Sequence, residues 1–173
     1  MSPPDSTTAT TLREFLTSKA DEYGVRGRNQ RRKEWLGAVD RLFVQLQSWM
    51  READPEGLLD VIRYDVSRTE RDYGTYDAPA LQVRFGPEEV SVEPIYGHPP
   101  LSLTFDQGQM ASSPDLGGAD ISGGRVDASN GLRTYHLFRE RGDEADAWWI
   151  WDGDRFAKLD PASFGRILKD LLS

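Results

Sequence analysis

Arg125, Asp127 and His136 come nearest, by type and spacing, to residues that could do chemistry. They flank Asn130-Gly131, a dipeptide in which both residues accept positive φ and which closes tight hairpins. A two-residue closure sets Arg125 across from His136 and Asp127 across from Thr134 on one face, leaving Val126, Ala128, Tyr135 and Leu137 on the other. Asp127 would then orient the imidazole diagonally, and His136 would exchange a proton with a substrate. The same side chains also make an ordinary solvated sheet face, and no nucleophile or metal motif stands beside them.

A second group is electrostatic. Arg26, Arg28, Arg31, Arg32 and Lys33 crowd the expected start of a long helix. Cations there oppose the helix macrodipole by up to about 1 kcal/mol each. Breaking that rule suits a site where charges and free amides together grip a phosphate, a nucleic-acid backbone or an acidic partner. The plain alternative has the arginines in solvent, or paired with the acidic half of the same chain. The third group is aromatic. Either a two- or a four-residue closure at Asp152-Gly153 brings Trp149, Trp151 and Phe156 to one face. Exposed rings would stack on bases, sugars or partner side chains, unless the molecule covers both faces of that hairpin.

Several chemistries are excluded. The chain has no cysteine, which removes disulfides, thiolate metal sites and thiol nucleophiles in one step. His98 and His136 are far apart and make no metal pattern. Asp152-Gly153-Asp154 lacks the further acids of a calcium loop. Gly117 to Gly124 is not closed by the Gly-Lys-Ser/Thr of a phosphate loop. No Gly-x-Ser-x-Gly elbow or zinc-protease helix occurs. No cofactor or metal is therefore expected. The net charge is −8, and residues 1–50 hold eight Lys/Arg against six Asp/Glu, so the acidic surplus belongs to the rest of the chain. That surplus opposes general binding to nucleic acid or anionic membranes.

The elements that must position these groups announce themselves through changes of period. Trp35, Val39, Leu42, Leu46 and Trp49, with Leu36, Phe43 and Met50 beside them, form one face of a helix over 30–54, ended by Pro55. Leu12, Phe15, Leu16 and Ala20 mark a shorter helix over 11–23, with Thr11 to Glu14 in the form of a capping box and Gly24 as its stop. From Gly57 the period falls to two, with strands at 58–66, 81–85, 90–93, 101–105, 125–129, 132–139, 147–151 and 154–159. Ser67 to Pro79 reads as a loop, and 106–124 as a plain or disordered connection. Asp160 as N-cap and Pro161 at the first helical position open a last helix over 161–172.

The fold class expected is α+β: an N-terminal helical pair and a C-terminal helix on a mostly antiparallel sheet of about six to eight strands, residues 57–159. A single domain over 11–173 would follow a disordered leader over 1–10. With no secretory start and no run of about 18 apolar residues, a cytoplasmic protein is expected. The function expected is a non-catalytic interaction domain that recognises another macromolecule, a protein in first place. The alternative is polyanion or nucleic-acid binding through Arg26 to Lys33. A second is a small enzyme built on Arg125, Asp127 and His136.

Overall fold

A computed structural model describes residues 6–98, 113–142 and 146–173, the side chains of 6–10, 21–23, 25 and 26 excepted. Helix α1 (Ser6–Tyr23) and helix α2 (Val25–Ala53) precede strands β1 (Asp60–Glu70), β2 (Gly74–Phe85), β3 (Glu88–Tyr96), β4 (Arg125–Ser129), β5 (Thr134–Arg139), β6 (Trp148–Trp151) and β7 (Phe156–Lys158). Helix α3 (Pro161–Leu171) follows. The seven strands form one sheet in sequence order, and every neighbouring pair is antiparallel. The class is α+β, as the periodicity predicts.

The sheet is laid on α2. Trp35, Val39, Leu42, Phe43, Leu46 and Met50 are buried along one face of that helix, with Leu36 and Trp49 partly so. Six such side chains contribute on the order of 9–18 kcal/mol before entropy is charged against them. They meet the inward residues of successive strands, among them Leu81 and Val83 of β2, Val92 of β3, Val126 of β4 and Leu137 of β5. Helix α3 joins the same core through Phe164, Ile167, Leu168 and Leu171. Its start is the expected one: Ser163 N donates to Asp160 Oδ1 (2.7 Å) and Asp160 N to Ser163 Oγ (2.9 Å), with Pro161 in the first turn. At the far end of α2, the Asp54 carboxylate accepts from Leu58 N and Leu59 N at 2.8 Å each, which turns the chain into the sheet.

Trp35 is held by a close fit. A Cβ built on Gly97 or on Gly124 would overlap its ring, and Gly124 also has φ +127°. Bare backbone on both flanks is what lets an indole fit there.

The structure departs from the sequence expectations in several places. Helix α1 begins at Ser6, so residues 6–10 of the expected leader are helical, and Thr11 and Glu14 lie inside the helix rather than at its cap. Helix α2 begins at Val25 rather than 30, and Gly24 alone separates the two helices. A Cβ at Gly24 would collide with the Ala20 carbonyl oxygen, so this turn requires glycine. Ser67 to Pro79 is not a loop but the distal half of a long β1–β2 hairpin. Its polar residues Ser67, Thr69, Thr75 and Asp77 occupy the exposed side of each strand, and Thr69 and Thr75 hydrogen-bond across it. The strand expected at 101–105 lies outside the described residues.

Both tight turns are longer than two residues. Asn130 Oδ1 accepts from Leu132 N and Arg133 N, and Asp152 Oδ1 accepts from Asp154 N and Arg155 N. Each side chain thus builds its own turn, with a positive-φ glycine next in line at Gly131 and Gly153. Four-residue loops result, and the β4–β5 register moves by two residues from the expected one.

The glycine clamp gives a first prediction. Gly97→Ala, at ordinary φ, should destabilise by about 1–3 kcal/mol through overpacking alone, read as a lower denaturant midpoint. Combined with Trp35→Ala, which removes the ring atoms that the new methyl would meet, the loss should be smaller than the sum of the two single losses, the remaining close contact being with the Tyr73 ring. Additive losses would show that Trp35 is not what forbids a side chain at 97.

Candidate functional site

Arg125, Asp127 and His136 do come together on the face of the sheet away from α2. Because the loop has four residues, Asp127 stands directly across from His136, Arg125 across from Phe138, and Thr134 across from Ser129. The expected pairing of Arg125 with His136 and of Asp127 with Thr134 is corrected accordingly. Arg125 donates twice to Asp127, Nε to Oδ1 and Nη2 to Oδ2, both at 2.9 Å, while His136 Nδ1 lies 2.8 Å from Oδ1. The Arg125 guanidinium also sits 5.4 Å from the centre of the Tyr96 ring.

Glu93 faces Asp127 from β3, a like-charge pair that is unfavourable by itself. Arg68 and the Tyr64 hydroxyl neutralise it, donating to Glu93 at 3.1 and 2.6 Å. Burial raises the Asp127 carboxyl, but the bonds from His136 and then Arg125 outweigh it and hold the group below its ordinary range. Burial, followed by the bond to Glu93, pushes the Tyr64 hydroxyl well up.

With Nδ1 held by Asp127, Nε2 is the nitrogen left for proton exchange. Acid/base work also needs a cavity that seats a substrate. Neither of two clefts, one of about 530 Å³ between α2 and Trp148 and one of about 330 Å³ near the start of α2, is lined by any of these three residues. Among the described residues, no group of three or more His, Asp or Glu is placed to hold a metal ion. The geometry is that of a charge-balanced clamp joining β3, β4 and β5.

The basic cluster is divided rather than pooled. The early start of α2 puts Arg31, Arg32 and Lys33 beyond its first turn, where the macrodipole has little hold on them. Arg32 is spent inside the molecule, donating to the Tyr73 carbonyl (3.3 Å) and to Asn29 Oδ1 (2.9 Å). Arg28 and Lys33 are exposed, and the Arg26 side chain lies outside those described. Arg31 lines the smaller cleft, together with Arg139 and Arg141 from the end of β5. Those two partners carry no sequence signal, since about a hundred residues separate them from α2.

Trp149, Trp151 and Phe156 share one face, as either loop length requires. That face is covered. Leu116 and Ile121 pack over Phe138 and Phe156 in a second small core, with Trp149 and Trp151 at its margin. Phe156 is buried, its ring centre 4.7 Å from that of Trp151, and Trp149 Nε1 donates to Glu140 (3.0 Å). The clue was available in the two apolar residues of a glycine-rich stretch.

One surface was legible in the sequence as a helix face but had no role assigned to it. Leu12, Phe15 and Leu16 of α1 are 57, 57 and 55% exposed, although their spacing is that of a helix face built to be covered. None of the described side chains of α1 is buried, and this stripe lies open. No protein-family model, curated protein or solved structure matches the chain.

The clamp is testable through its pH dependence. Asp127→Asn should cost about 1–3 kcal/mol, the penalty for leaving buried donors poorly matched. A folded-state carboxyl held below its unfolded value adds stability above the unfolded pKa, and that stability disappears as pH falls through the lower folded one. The gap between wild type and variant should therefore be widest near neutrality and narrow below about pH 4. A gap of constant size across that range would mean that ionised Asp127 contributes nothing.

Proposed function

We propose that this protein is a non-catalytic interaction domain, acting in the cytoplasm, that recognises another protein. The observation that carries the reading is the open apolar stripe Leu12, Phe15 and Leu16 on α1. Singly exposed apolar residues are ordinary, but three on adjacent turns of one helix, all more than half exposed, form a docking face of the kind a protein groove accepts. Charge argues for the class of partner. Arg13 and Glu14 lie beside the stripe, so its border is mixed in sign, whereas a helix meant for an anionic membrane or a nucleic acid carries a basic border. The net charge of −8 opposes both of those partners as well. Among the described residues, no helix is long and apolar enough to cross a membrane. The absence of cysteine suits a reducing compartment.

Polyanion binding is the weaker reading, because Arg32 is committed internally and Glu34 and Glu140 are interleaved with the cations of the smaller cleft. The acid/base reading lacks a cleft at His136.

Phe15→Gln with Leu16→Gln should leave stability within about 0.5 kcal/mol of wild type, since both side chains are largely exposed. The same pair of changes should remove partners captured from the source cell by the wild-type protein. Leu132→Gln, at a 97% exposed leucine in the β4–β5 loop, should retain them and serves as the control. Capture that survives the α1 changes would sink the reading.

A further inference from the structure

Three connections of the sheet, β1–β2, β3–β4 and β5–β6, converge on the second and third turns of α2 and line the cleft of about 330 Å³. We propose that this cleft binds a small molecule through a carboxylate or phosphate group, held by Arg31 and Arg141 above the Trp35 ring. The proposal stands apart from protein recognition by α1, because it uses none of the same residues.

The argument begins with the cations. In a chain of net charge −8, three guanidinium groups from two elements line one small space: Arg31 from α2, and Arg139 and Arg141 from the end of β5. Glu34 and Glu140 line it too, which leaves a surplus of one positive charge for an incoming group. Arg139 is a fixed wall, donating to Asp146 at 2.9 Å and reaching Glu34 at 3.4 Å. Glu140 is likewise held, by the Trp149 indole. Arg141 is anchored through its backbone, whose N–H donates to the Asp120 carbonyl at 2.7 Å, while the residue itself is exposed. Its guanidinium can therefore turn toward an anion without breaking the fold.

The cleft is also built in advance. Tyr73 stands on its wall, and Arg31 and Arg141 line the same space. Trp35 forms its floor, 1% exposed and closely flanked by Gly97 and Gly124. Little ordering is then left to do when a ligand binds, which favours affinity from few contacts. The volume is at the lower end of the range of small-molecule sites, roughly 300–1,000 Å³. A single charged group on a compact body suits both that size and the surplus charge. An extended polyanion does not, because Glu34 and Glu140 would repel its next phosphates.

The test is thermal melting of the full chain with inorganic phosphate and, separately, with malonate, each against sodium chloride of equal ionic strength. A saturable rise in Tm beyond the chloride control is expected with at least one probe, and whichever probe gives it identifies the preferred group. Arg141→Ala should weaken that binding about tenfold or more, and Arg31→Gln should do the same. Lys33→Ala and Arg155→Ala, exposed cations outside the cleft, should bind as wild type does. Because Arg141 is exposed, its variant keeps the test valid if the α2 variant folds poorly. No rise beyond chloride with either probe would overturn the proposal. So would a rise that survives Arg141→Ala, or one that falls equally in the two control variants.

Discussion

The burial of one indole between two stretches of bare backbone governs how this fold closes. Trp35 projects from α2 to the place where β3 ends and β4 begins, and glycines stand there on both sides, Gly97 and Gly124. Strands β3 and β4 are neighbours in the sheet, although they are far apart along the chain. The ring therefore meets both the end of β3 and the start of β4. The Glu70 carboxylate holds the end of β3 from the other side, accepting from Gly97 N and His98 N at 2.9 and 3.0 Å. Arg32 ties the β1–β2 turn to the same region through the Tyr73 carbonyl. Helix, hairpin and the two strand ends thus meet at one point.

What the sequence discloses is whatever depends on residues near one another along the chain. The stripe from Trp35 to Met50 and the cap Asp160-Pro161 needed only helical spacing and local hydrogen bonding, and both are as expected. Strand alternation gave the correct faces even where the pairing was wrong, because a shift of two residues leaves every side chain on its own side. The pairing itself was hidden. Asn130 and Asp152 favour a tight turn by their backbone preference, but their side-chain oxygens capture two amides each and lengthen it. The polar run Ser67 to Pro79 misled for a related reason: its buried side is carried by Tyr73, Tyr76 and Ala78 rather than by valines, while its exposed side is written in threonines and serines.

The site residues divide along the same line. Arg125, Asp127 and His136 lie within twelve residues and were brought together correctly as a group. The contributions of Tyr64, Arg68 and Glu93 depend on the order of strands, which no local pattern records. The basic run was visible as a run, yet its division among solvent, an internal carbonyl and a cleft is set by the rotation of α2 and by the position of β5. Leu12, Phe15 and Leu16 were read as a helix face; periodicity states that a face exists, not what lies against it.

The simple strand order has a consequence for how the molecule is made. Each described strand pairs only with its neighbours in sequence, so the sheet can grow hairpin by hairpin, with the longest connection the one before β4. Helix α2, however, leaves the ribosome before any strand, and its stripe of large side chains has nothing to rest on until β2 to β6 have followed. Helix α3, made last, covers the remaining part of the same core. Synthesis therefore passes through a long interval in which the helix with the longest buried apolar stripe is finished and its shelter is not, the period in which a nascent chain is most open to chaperone binding or to association with its own copies.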